Sequence, residues 1–581
     1  MPSICIGKRR SKHPNLGNGA TAESDNYSKV LEGLIQQFRG QATTNDLAGG
    51  SDLRGMEYAT DAGLDTYKCC LRDTRNDLLA EIKSWIRSVG EDVPRVLWLS
   101  GTAGRGKSAI AHTISNWSNE FGGLGAFFCF DRTRGTDHSH EKIFTTIARD
   151  FANCNPVIRQ ALLFMLRDDE ELGDTASLMN QWQKFVVQPI SMSSVTAPAL
   201  VVIDALDESG GAHSREQILR VLAGKLPVNF RVLVTSRPLD DIRDVLDAAP
   251  HVRHLSMDDI PTVSTEHDIQ LYVSTRLADP FDVAHFKTLA QKSDGLFEWA
   301  RLACEYINSA GRAGVEPMDR FKAVVAGTPK FRRGSHLLDD MYGCILRDII
   351  TEGEEAVAMF RSVMGQVLAS FEPLSTTALT TMRLHFPGED GRRKVEQVIK
   401  PMGSLVTGTT DPLTPIRPLH ASFYDFLTDR ARSDKFFVDL PSLKRNLAFA
   451  SLQVMKKGLR FNICSLESSY LPNSAVLDLE TRVKEFIPTE LRYSCRFWGT
   501  HVQATSFEPS LAKEIEAFFD GERLLFWLEA LALMNHLSCS LESLSSIADW
   551  LTVSVSSSFL GPMDSYRWWI VLGPRRVHSP Q

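Results

Sequence analysis

The segment Gly101-Thr-Ala-Gly-Arg-Gly-Lys-Ser108 matches the P-loop pattern G-x-x-x-x-G-K-[ST] at every fixed position. The apolar run Val96–Ser100 before it predicts a buried strand, and the segment from Ala109 to Trp117 predicts a helix. A P-loop needs this strand, loop and helix in this order. The alternative is a glycine-rich turn, but at an average glycine usage near 7% the four fixed positions match by chance only ~0.02 times in a chain of this length. We therefore predict a phosphate-binding loop in an α/β domain.

Each part of this loop has a predicted role in holding a polyphosphate. Glycines let the backbone approach the anion, so that main-chain N–H groups and the positive end of the following helix point at it. Lys107 would reach the β- and γ-phosphates, and the Ser108 hydroxyl would hold a magnesium ion. The predicted nucleotide-binding residues here are Gly101, Thr102, Ala103, Gly104, Arg105, Gly106, Lys107, Ser108 and Ala109.

A second motif supplies acidic residues at the end of another predicted strand. Ala199–Ile203 is apolar throughout, as expected for a central parallel strand, and it is followed by Asp204-Ala-Leu-Asp207-Glu208. This is the pattern of a Walker B motif, in which Asp204 would hold the magnesium ion. Either Asp207 or Glu208 would orient or deprotonate the attacking water. The alternative is an acidic loop after an ordinary core strand.

A third strand, predicted over Phe230–Thr235, leads into Ser236-Arg237-Pro238. Open α/β sheets bind ligands at the carboxyl ends of their strands, so Arg237 is a candidate sensor of the γ-phosphate. The alternative is a surface arginine that follows a strand.

The wider pattern divides the chain into a sheet-containing part and a helical remainder. Strands and helices alternate up to a last strand near Val252–Leu255, which predicts a mainly parallel, five-stranded sheet with helices on both faces. Beyond residue 263 the pattern is helical, except for two apolar runs, Ser404–Thr407 and Ile416–Leu419, that would form a small β-wing. Aromatic stripes at Tyr493–Trp498 and Leu524–Met534 predict contacts between helices. The predicted regions are 1–60 (disordered or partly helical), 61–260 (P-loop NTPase domain), 261–335 (helical), 336–435 (winged-helix-like), 436–551 (helical) and 552–581 (an atypical tail).

Composition narrows the classes of partner and compartment. The 581 residues carry a formal net charge of −7 at pH 7, which argues against a large nucleic-acid footprint. The ten cysteines are scattered, which is typical of buried thiols in a reducing compartment. The sequence shows no secretory signal peptide, and its longest apolar stretch is too short to span a membrane. We expect a soluble, cytoplasmic protein, with the basic cluster Lys8–Lys12 leaving a nuclear address as the alternative.

Over about residues 60 to 550 the chain resembles the NACHT family of signal-transduction NTPases, in its fungal, nephrocystin-like N-terminal version. The P-loop and the Walker B motif with the small Ala205 carry the resemblance together with four other segments. These segments are Leu71–Arg75, Thr235–Pro238, Leu338–Tyr342 and Leu419–Leu427.

The resemblance implies a switch in which a nucleotide joins the NTPase domain to a helical and a winged-helix domain. The nucleotide would be ATP or ADP with magnesium, with GTP as the alternative, and hydrolysis would be slow. Arg75 would lie near the base or ribose, and His420 would touch the phosphates of bound diphosphate. The other interpretation of His420 is a hydrogen-bonded histidine at a helix start. Other proteins are the expected partners, through self-association or through pairing with related full-length switches.

The chain also departs from the family pattern. Phe297 stands where relatives place a proline against the base, which leaves the preference for adenine open, and Asp73 replaces an expected glycine. No repeats of 40 residues with Trp-Asp signatures follow. This motivates a second hypothesis, a scaffold or decoy that binds nucleotide without turnover. A third, nucleic-acid binding by the winged helix, is least favoured because charge is mixed around His420.

Overall fold

The computed structural model describes residues 53 and 56–556, except 122, 135–139, 169–176, 193–198, 229, 310–314, 328–334, 351–352, 388–394 and 469. Of the predicted N-terminal region 1–60 only residues 53 and 56–60 are described, and of the predicted atypical tail 552–581 only residues 552–556, which continue a helix; the rest of both lies outside the described residues. The chain divides into two compact units. One contains Ser51–Ser375 and Val395–Asp439, and the other contains Thr376–Lys394 and Leu440–Gln581 with Met1–Gly50.

A parallel five-stranded sheet organises the first unit, with the strand order β2-β3-β4-β1-β5. The parallel five-stranded arrangement predicted from the sequence is confirmed. In chain order the elements are α1 (Asn76–Arg87), β1 (Val96–Ser100), α2 (Lys107–Glu120), β2 (Leu124–Cys129), α3 (Ile143–Cys154), α4 (Pro156–Asp168), α5 (Leu178–Gln181), α6 (Gln188–Met192), β3 (Ala199–Asp204), α7 (Ala212–Ala223), β4 (Phe230–Ser236), α8 (Asp240–Leu246) and β5 (Val252–Ser256). A π-helical segment, Trp182–Val187, joins α5 to α6.

Alternation along the central strands fills two cores, one on each face of the sheet. In β1, Leu97 and Leu99 pack with apolar side chains of α1 and α2. Val96 and Trp98 point to the opposite face and pack with side chains from α3 to α8. Because strand side chains alternate with a period of two, a strand covered on both faces must be apolar throughout. This is why β1, β3 and β4 appear in the sequence as continuous apolar runs.

The strand order fixes which loops become neighbours. β4 lies between β1 and β3, and β3 lies between β4 and β2. The strands are parallel, so the segments after β1, β4, β3 and β2 emerge side by side at one edge of the sheet. That edge carries the motifs singled out by the sequence.

Helices follow the sheet, as the sequence predicts. Within the first unit they are α9 (Thr262–Arg276), α10 (Val283–Lys292), α11 (Phe297–Asn308), α12 (Pro317–Gly327), α13 (Ser335–Ile349), α14 (Glu354–Ala369), α16 (Val395–Ile399), α17 (Ala421–Thr428) and α18 (Arg430–Ser433). The two apolar runs predicted as a β-wing meet through one isolated antiparallel bridge, Val406 with Pro418, and the hydrogen bonds beside it. No regular strand is assigned to either run.

The second unit is helical in its described residues. It contains α15 (Thr376–Arg383), α19 (Leu440–Gly458), α20 (Leu479–Phe486), α21 (Thr489–Gln503), α22 (Pro509–Phe519), α23 (Arg523–Leu533) and α24 (Ser538–Ser556). Trp498 and Trp527 are fully buried and meet edge to face at 5.7 Å, with the indole N–H of Trp527 donating to the Cys495 carbonyl. The aromatic stripes are therefore contacts between helices, as predicted. Among the described helices, none combines the length and apolar character needed to cross a membrane.

Candidate functional site

The glycine-rich loop Gly101–Gly106 connects β1 to the start of α2. Gly104 and Gly106 have φ angles of +84° and +91°, which L side chains rarely adopt. Gly106 is the N-cap of α2, and no side chain caps this helix start. The first N–H groups of a 14-residue helix are thus left for another acceptor, at the end where the helix dipole is positive. The loop therefore has the form of an anion-binding helix start.

Contacts from two neighbouring segments hold the loop in shape. Asp258, directly after β5, accepts hydrogen bonds from the main-chain N–H and the hydroxyl of Thr102, both at 3.1 Å, and pairs with Arg105 at 3.1 Å. On the other side the N–H of Glu298 donates to the Gly104 carbonyl at 3.1 Å. A Cβ at Gly104 would lie 3.0 Å from the Glu298 Cβ, so the close approach of α11 adds to the preference for glycine there. Sequence reasoning missed Asp258.

Lys107 bends back over the loop. Its ammonium group donates to the carbonyls of Gly101 at 2.6 Å and Thr102 at 3.1 Å. Burial lowers the pKa of Lys107, while the nearby carboxylates of Asp207 and Asp204 act to raise it. Ser108, next to it in the first turn of α2, has an exposed side chain. The remaining predicted positions of this segment, Ala103 and Ala109, are partly exposed.

Asp204, the last residue of β3, is completely buried and held by the neighbouring strand. The hydroxyl of Thr235 donates to one Asp204 carboxylate oxygen at 2.5 Å and accepts the N–H of Ala205 at 3.0 Å. Ala205 has a φ of +56°, where the chain turns out of the strand. The thiol of Cys129 lies 3.4 Å from the second Asp204 oxygen. Through these two hydrogen bonds Thr235 connects the carboxyl end of β4 to that of β3, a role that could not be predicted from the sequence.

Arg237 binds two carboxylates at once. Its Nε lies 3.0 Å from Asp207 and its Nη1 lies 2.5 Å from Asp425, on α17. The main-chain N–H of Arg237 also donates to Asp207 at 3.0 Å. Burial acts to lower the pKa of Arg237, but Asp425 and Asp207 outweigh it and raise the pKa above its ordinary value. Arg237 is therefore held by ion pairs rather than left as a free surface arginine.

Glu208 lies beside Asp207 in a different electrostatic setting. Burial, together with the charge of Asp207, raises the pKa of Glu208 to about 8, while Arg132 and Arg237 act to lower it. One Glu208 carboxylate oxygen accepts the main-chain N–H of Arg132 at 3.3 Å. The two acidic residues that the sequence leaves as alternatives thus differ: Asp207 is paired with Arg237, and the pKa of Glu208 is raised toward 8 by burial.

Arg132, just after β2, is a second arginine at this edge that sequence reasoning missed. Its Nη1 lies 2.9 Å from the other carboxylate oxygen of Asp425, and its guanidinium carbon Cζ lies 5.6 Å from the centre of the Tyr424 ring. The only available signal was its position immediately after an apolar strand, which it shares with many surface residues.

Arg75 lies on another side of the glycine-rich loop. It is 6% exposed, donates to the Arg105 carbonyl at 3.2 Å and to Thr265 at 3.3 Å, and its main-chain N–H binds Asp268 at 3.1 Å. The Arg75 guanidinium stacks 4.9 Å from the centre of the Phe297 ring. Phe297, which stands where the sequence resemblance implies a proline, is therefore in contact with Arg75.

His420 is the N-cap of α17. Its Nδ1 lies 2.6 Å from the Ser422 hydroxyl and accepts the Ser422 N–H at 3.2 Å. Burial lowers the pKa of His420, Glu298 acts to raise it, and the cations Arg301, Arg237 and Lys107 act to lower it. His420 thus lies within electrostatic range of Lys107, and it is also a hydrogen-bonded histidine at a helix start. Both interpretations left open by the sequence are compatible with this position.

An uncapped helix start beside a lysine suits a phosphate. In the described part of the chain, no group of three or more histidine, cysteine, aspartate or glutamate side chains could hold a metal by itself. Magnesium characteristically uses one or two protein oxygens, with phosphate oxygens and water completing its shell. Ser108, at the start of α2, and Asp204, at the end of β3, carry side-chain oxygens of the kind that magnesium prefers.

A family model matches part of the chain. The family model described as Nephrocystin 3, N-terminal, matches residues 73–237, which run from just before α1 to just after β4. The matched segment contains the glycine-rich loop, Asp204, Glu208, Arg132 and Arg237. No curated protein matches the chain.

Proposed function

We propose that this chain is a magnesium-dependent nucleoside triphosphatase that acts as a switch, binding ATP, with GTP as the alternative, and hydrolysing it slowly. One observation carries the proposal. The Lys107 ammonium group, at the uncapped start of α2, lies in the field of Asp207, Arg237 and Asp204. These residues lie at the ends of three adjacent strands, and Lys107 is more than 90 positions before each of the other three in the sequence. A structural turn would not require that combination.

In this proposal Gly101–Ser108 is a P-loop and Asp204–Glu208 a Walker B motif. Main-chain N–H groups at the start of α2 and the Lys107 side chain bind the phosphates. Ser108 and Asp204 hold the magnesium ion, which when bound neutralises phosphate charge. The Thr235 hydroxyl fixes the orientation of the Asp204 carboxylate. Arg237 senses the γ-phosphate, and Arg75 with Phe297 borders the site of the base.

Slow turnover follows from the state of the two acidic residues. A general base must be ionised to accept a proton from water, and at neutral pH most Glu208 side chains are protonated, because the pKa is raised to about 8. Asp207 is paired with Arg237. Hydrolysis would then depend on a rearrangement that lowers the pKa of Glu208 or frees Asp207.

The contacts of α17 support the switch part of the proposal. Asp425 on this helix pairs with Arg132 and Arg237, which lie at the carboxyl ends of β2 and β4, and His420 is the N-cap of the same helix. We propose that α17 belongs to a winged-helix-like domain of the NACHT type and that nucleotide state controls its contact with the sheet edge. Other proteins in the cytoplasm are the proposed partners.

A second candidate, favoured by the protonated Glu208, is a nucleotide-bound scaffold without meaningful turnover. The scaffold and the slow nucleoside triphosphatase are distinguished by measuring phosphate release. For the enzyme, purified chain with ATP and magnesium releases phosphate slowly, and Glu208→Gln lowers that rate at least tenfold. A rate that is the same in both proteins favours the scaffold.

Binding itself is tested by calorimetry with ADP and magnesium. Lys107→Ala should weaken binding by about 100-fold, since two charge-assisted contacts are worth roughly 3 kcal/mol. Lys322→Ala, which removes an exposed lysine paired with Asp319 on α12, is the matched control and should bind as the unaltered chain does. Unchanged affinity in Lys107→Ala would contradict the assigned site.

A further inference from the structure

Asp425 receives one arginine on each of its two carboxylate oxygens. Arg132 Nη1 lies 2.9 Å from Oδ1, and Arg237 Nη1 lies 2.5 Å from Oδ2. All three side chains are partly buried, with exposed fractions of 16% for Asp425, 29% for Arg132 and 24% for Arg237. In the sequence, Arg132 lies 293 residues before Asp425 and Arg237 lies 188 residues before it. Two guanidinium groups therefore converge on one small anion.

The sheet explains why the two arginines converge. Arg132 follows β2 and Arg237 follows β4, and β3, with Asp204 at its end, lies between these strands. The arginines thus flank the acidic turn. Each is also tied to it: the main-chain N–H of Arg132 bonds Glu208, and Arg237 Nε pairs with Asp207. Their positions are set by the sheet edge and not by α17 alone.

We propose that Arg132 is a second terminal-phosphate ligand of this site, and that the Asp425 carboxylate occupies the position which that phosphate takes. The inference rests on the proposed function. Carboxylate and phosphate oxygens are both preferred partners of guanidinium groups. A nucleoside triphosphate must displace Asp425 from both arginines, whereas a diphosphate lacks the group that competes. The Arg132–Asp425–Arg237 contact therefore sets the preference between diphosphate and triphosphate. Its loss when the triphosphate binds releases α17.

The test measures dissociation constants of the full chain for ADP and for the non-hydrolysable analogue AMP-PNP, both with magnesium. The readout is the ratio of the ADP constant to the AMP-PNP constant. Asp425→Asn should raise this ratio about tenfold, because the competing charge is gone, and Arg132→Gln should lower it about tenfold. Asp425→Glu keeps the charge and should leave the ratio near its original value.

Arg134→Gln is the matched control. Arg134 lies in the same turn as Arg132, is similarly buried with an exposed fraction of 19%, and pairs with Asp61 and Asp131 instead of Asp425. Its removal should not change the ratio. ADP affinity also serves as the check on folding, since ADP binding needs an intact loop but not the Asp425 contact.

Three results would overturn the inference. A ratio unchanged in Arg132→Gln would show that this arginine does not meet the terminal phosphate. Asp425→Asn weakening or strengthening both ligands equally would make the contact a structural ion pair only. The proposed function itself fails if the unaltered chain binds neither nucleotide, or if Lys107→Ala binds both as tightly as the unaltered chain. Such a result concerns binding as a whole and is therefore distinct from a change in the ratio of the two dissociation constants.

Discussion

Replacing Thr235 by valine should loosen the turn that follows β3. Valine has nearly the shape of threonine, but it cannot donate to Asp204 or accept the N–H of Ala205, the two hydrogen bonds that the threonine hydroxyl makes at 2.5 Å and 3.0 Å. Thr235 and Asp204 are both fully buried, so water does not replace the lost bonds. A hydrogen bond to a charged group contributes about 1.5–3 kcal/mol, and leaving a buried N–H unsatisfied costs roughly 1–3 kcal/mol.

The expected loss is therefore roughly 3 kcal/mol of local stability, which corresponds to about a 100-fold change in an opening equilibrium. Hydrogen exchange followed by mass spectrometry measures it directly, on peptides that cover residues 199–209. A local readout is preferable to global unfolding, because a chain with two compact units need not unfold in one step. The protection of these amides should fall by about 100-fold.

Two variants test the reasoning. Thr235→Ser retains the hydroxyl and should retain most of the protection. Thr288→Val removes an exposed hydroxyl on α10 that donates only to the Ala284 carbonyl, and it should have no effect on residues 199–209. If Thr235→Val leaves protection intact, or if Thr235→Ser loses as much as the valine variant, the hydroxyl does not hold Asp204 and the assigned metal ligand loses its support.

Two other predictions concern Glu208 and Asp73. The rate of phosphate release should rise with pH to a plateau above about 8, as Glu208 loses its proton. Glu208→Gln should remove this rise. A rate that does not change with pH in the unaltered chain would exclude Glu208 as the base. Between its ordinary pKa of 4.5 and about 8, Glu208 keeps its proton only when folded, so its contribution to the free energy of unfolding decreases as pH rises through that range. Asp73 has a φ of +68°, so Asp73→Gly should relieve backbone strain. The melting temperature of the sheet-containing unit should rise by a few degrees, which corresponds to about 1 kcal/mol. A lower melting temperature would show that the aspartate side chain stabilises this turn.

The sheet was largely predictable because its information is local. Each central strand is a short apolar run, and in a parallel sheet covered on both faces that is what packing demands. α4 (Pro156–Asp168) and α8 (Asp240–Leu246) were not predicted, although both pack on the sheet. The order of the strands was not predictable either. It depends on which parallel neighbour each crossover reaches, and β1 pairs with β4 and β5, both more than 130 residues further along the chain.

The residues of the candidate site likewise fall into those that a local motif predicts and those that depend on the three-dimensional fold. Lys107, Ser108 and the acidic turn could be proposed from the sequence, because phosphate and metal binding calls for particular residue types at fixed spacing. Arg132, Thr235 and Asp258 act through neighbours brought in from other strands, and nothing in their local sequence distinguishes them from ordinary residues at strand ends. The sequence marked Phe297 only because a proline was expected at that position. Its contact with the Arg75 guanidinium could not be predicted.

Arg237 is the point at which hydrolysis and domain contact would be coupled, since one guanidinium group pairs with both Asp207 and Asp425. Equilibrium coupling between two sites is reciprocal: if a triphosphate weakens the hold of the arginines on Asp425 by some factor, the same contact weakens triphosphate binding by that factor. Keeping α17 docked therefore costs affinity for the ligand that would release it. The same pairing keeps Asp207 occupied, so α17 docking and low hydrolytic competence would belong to one state of the molecule.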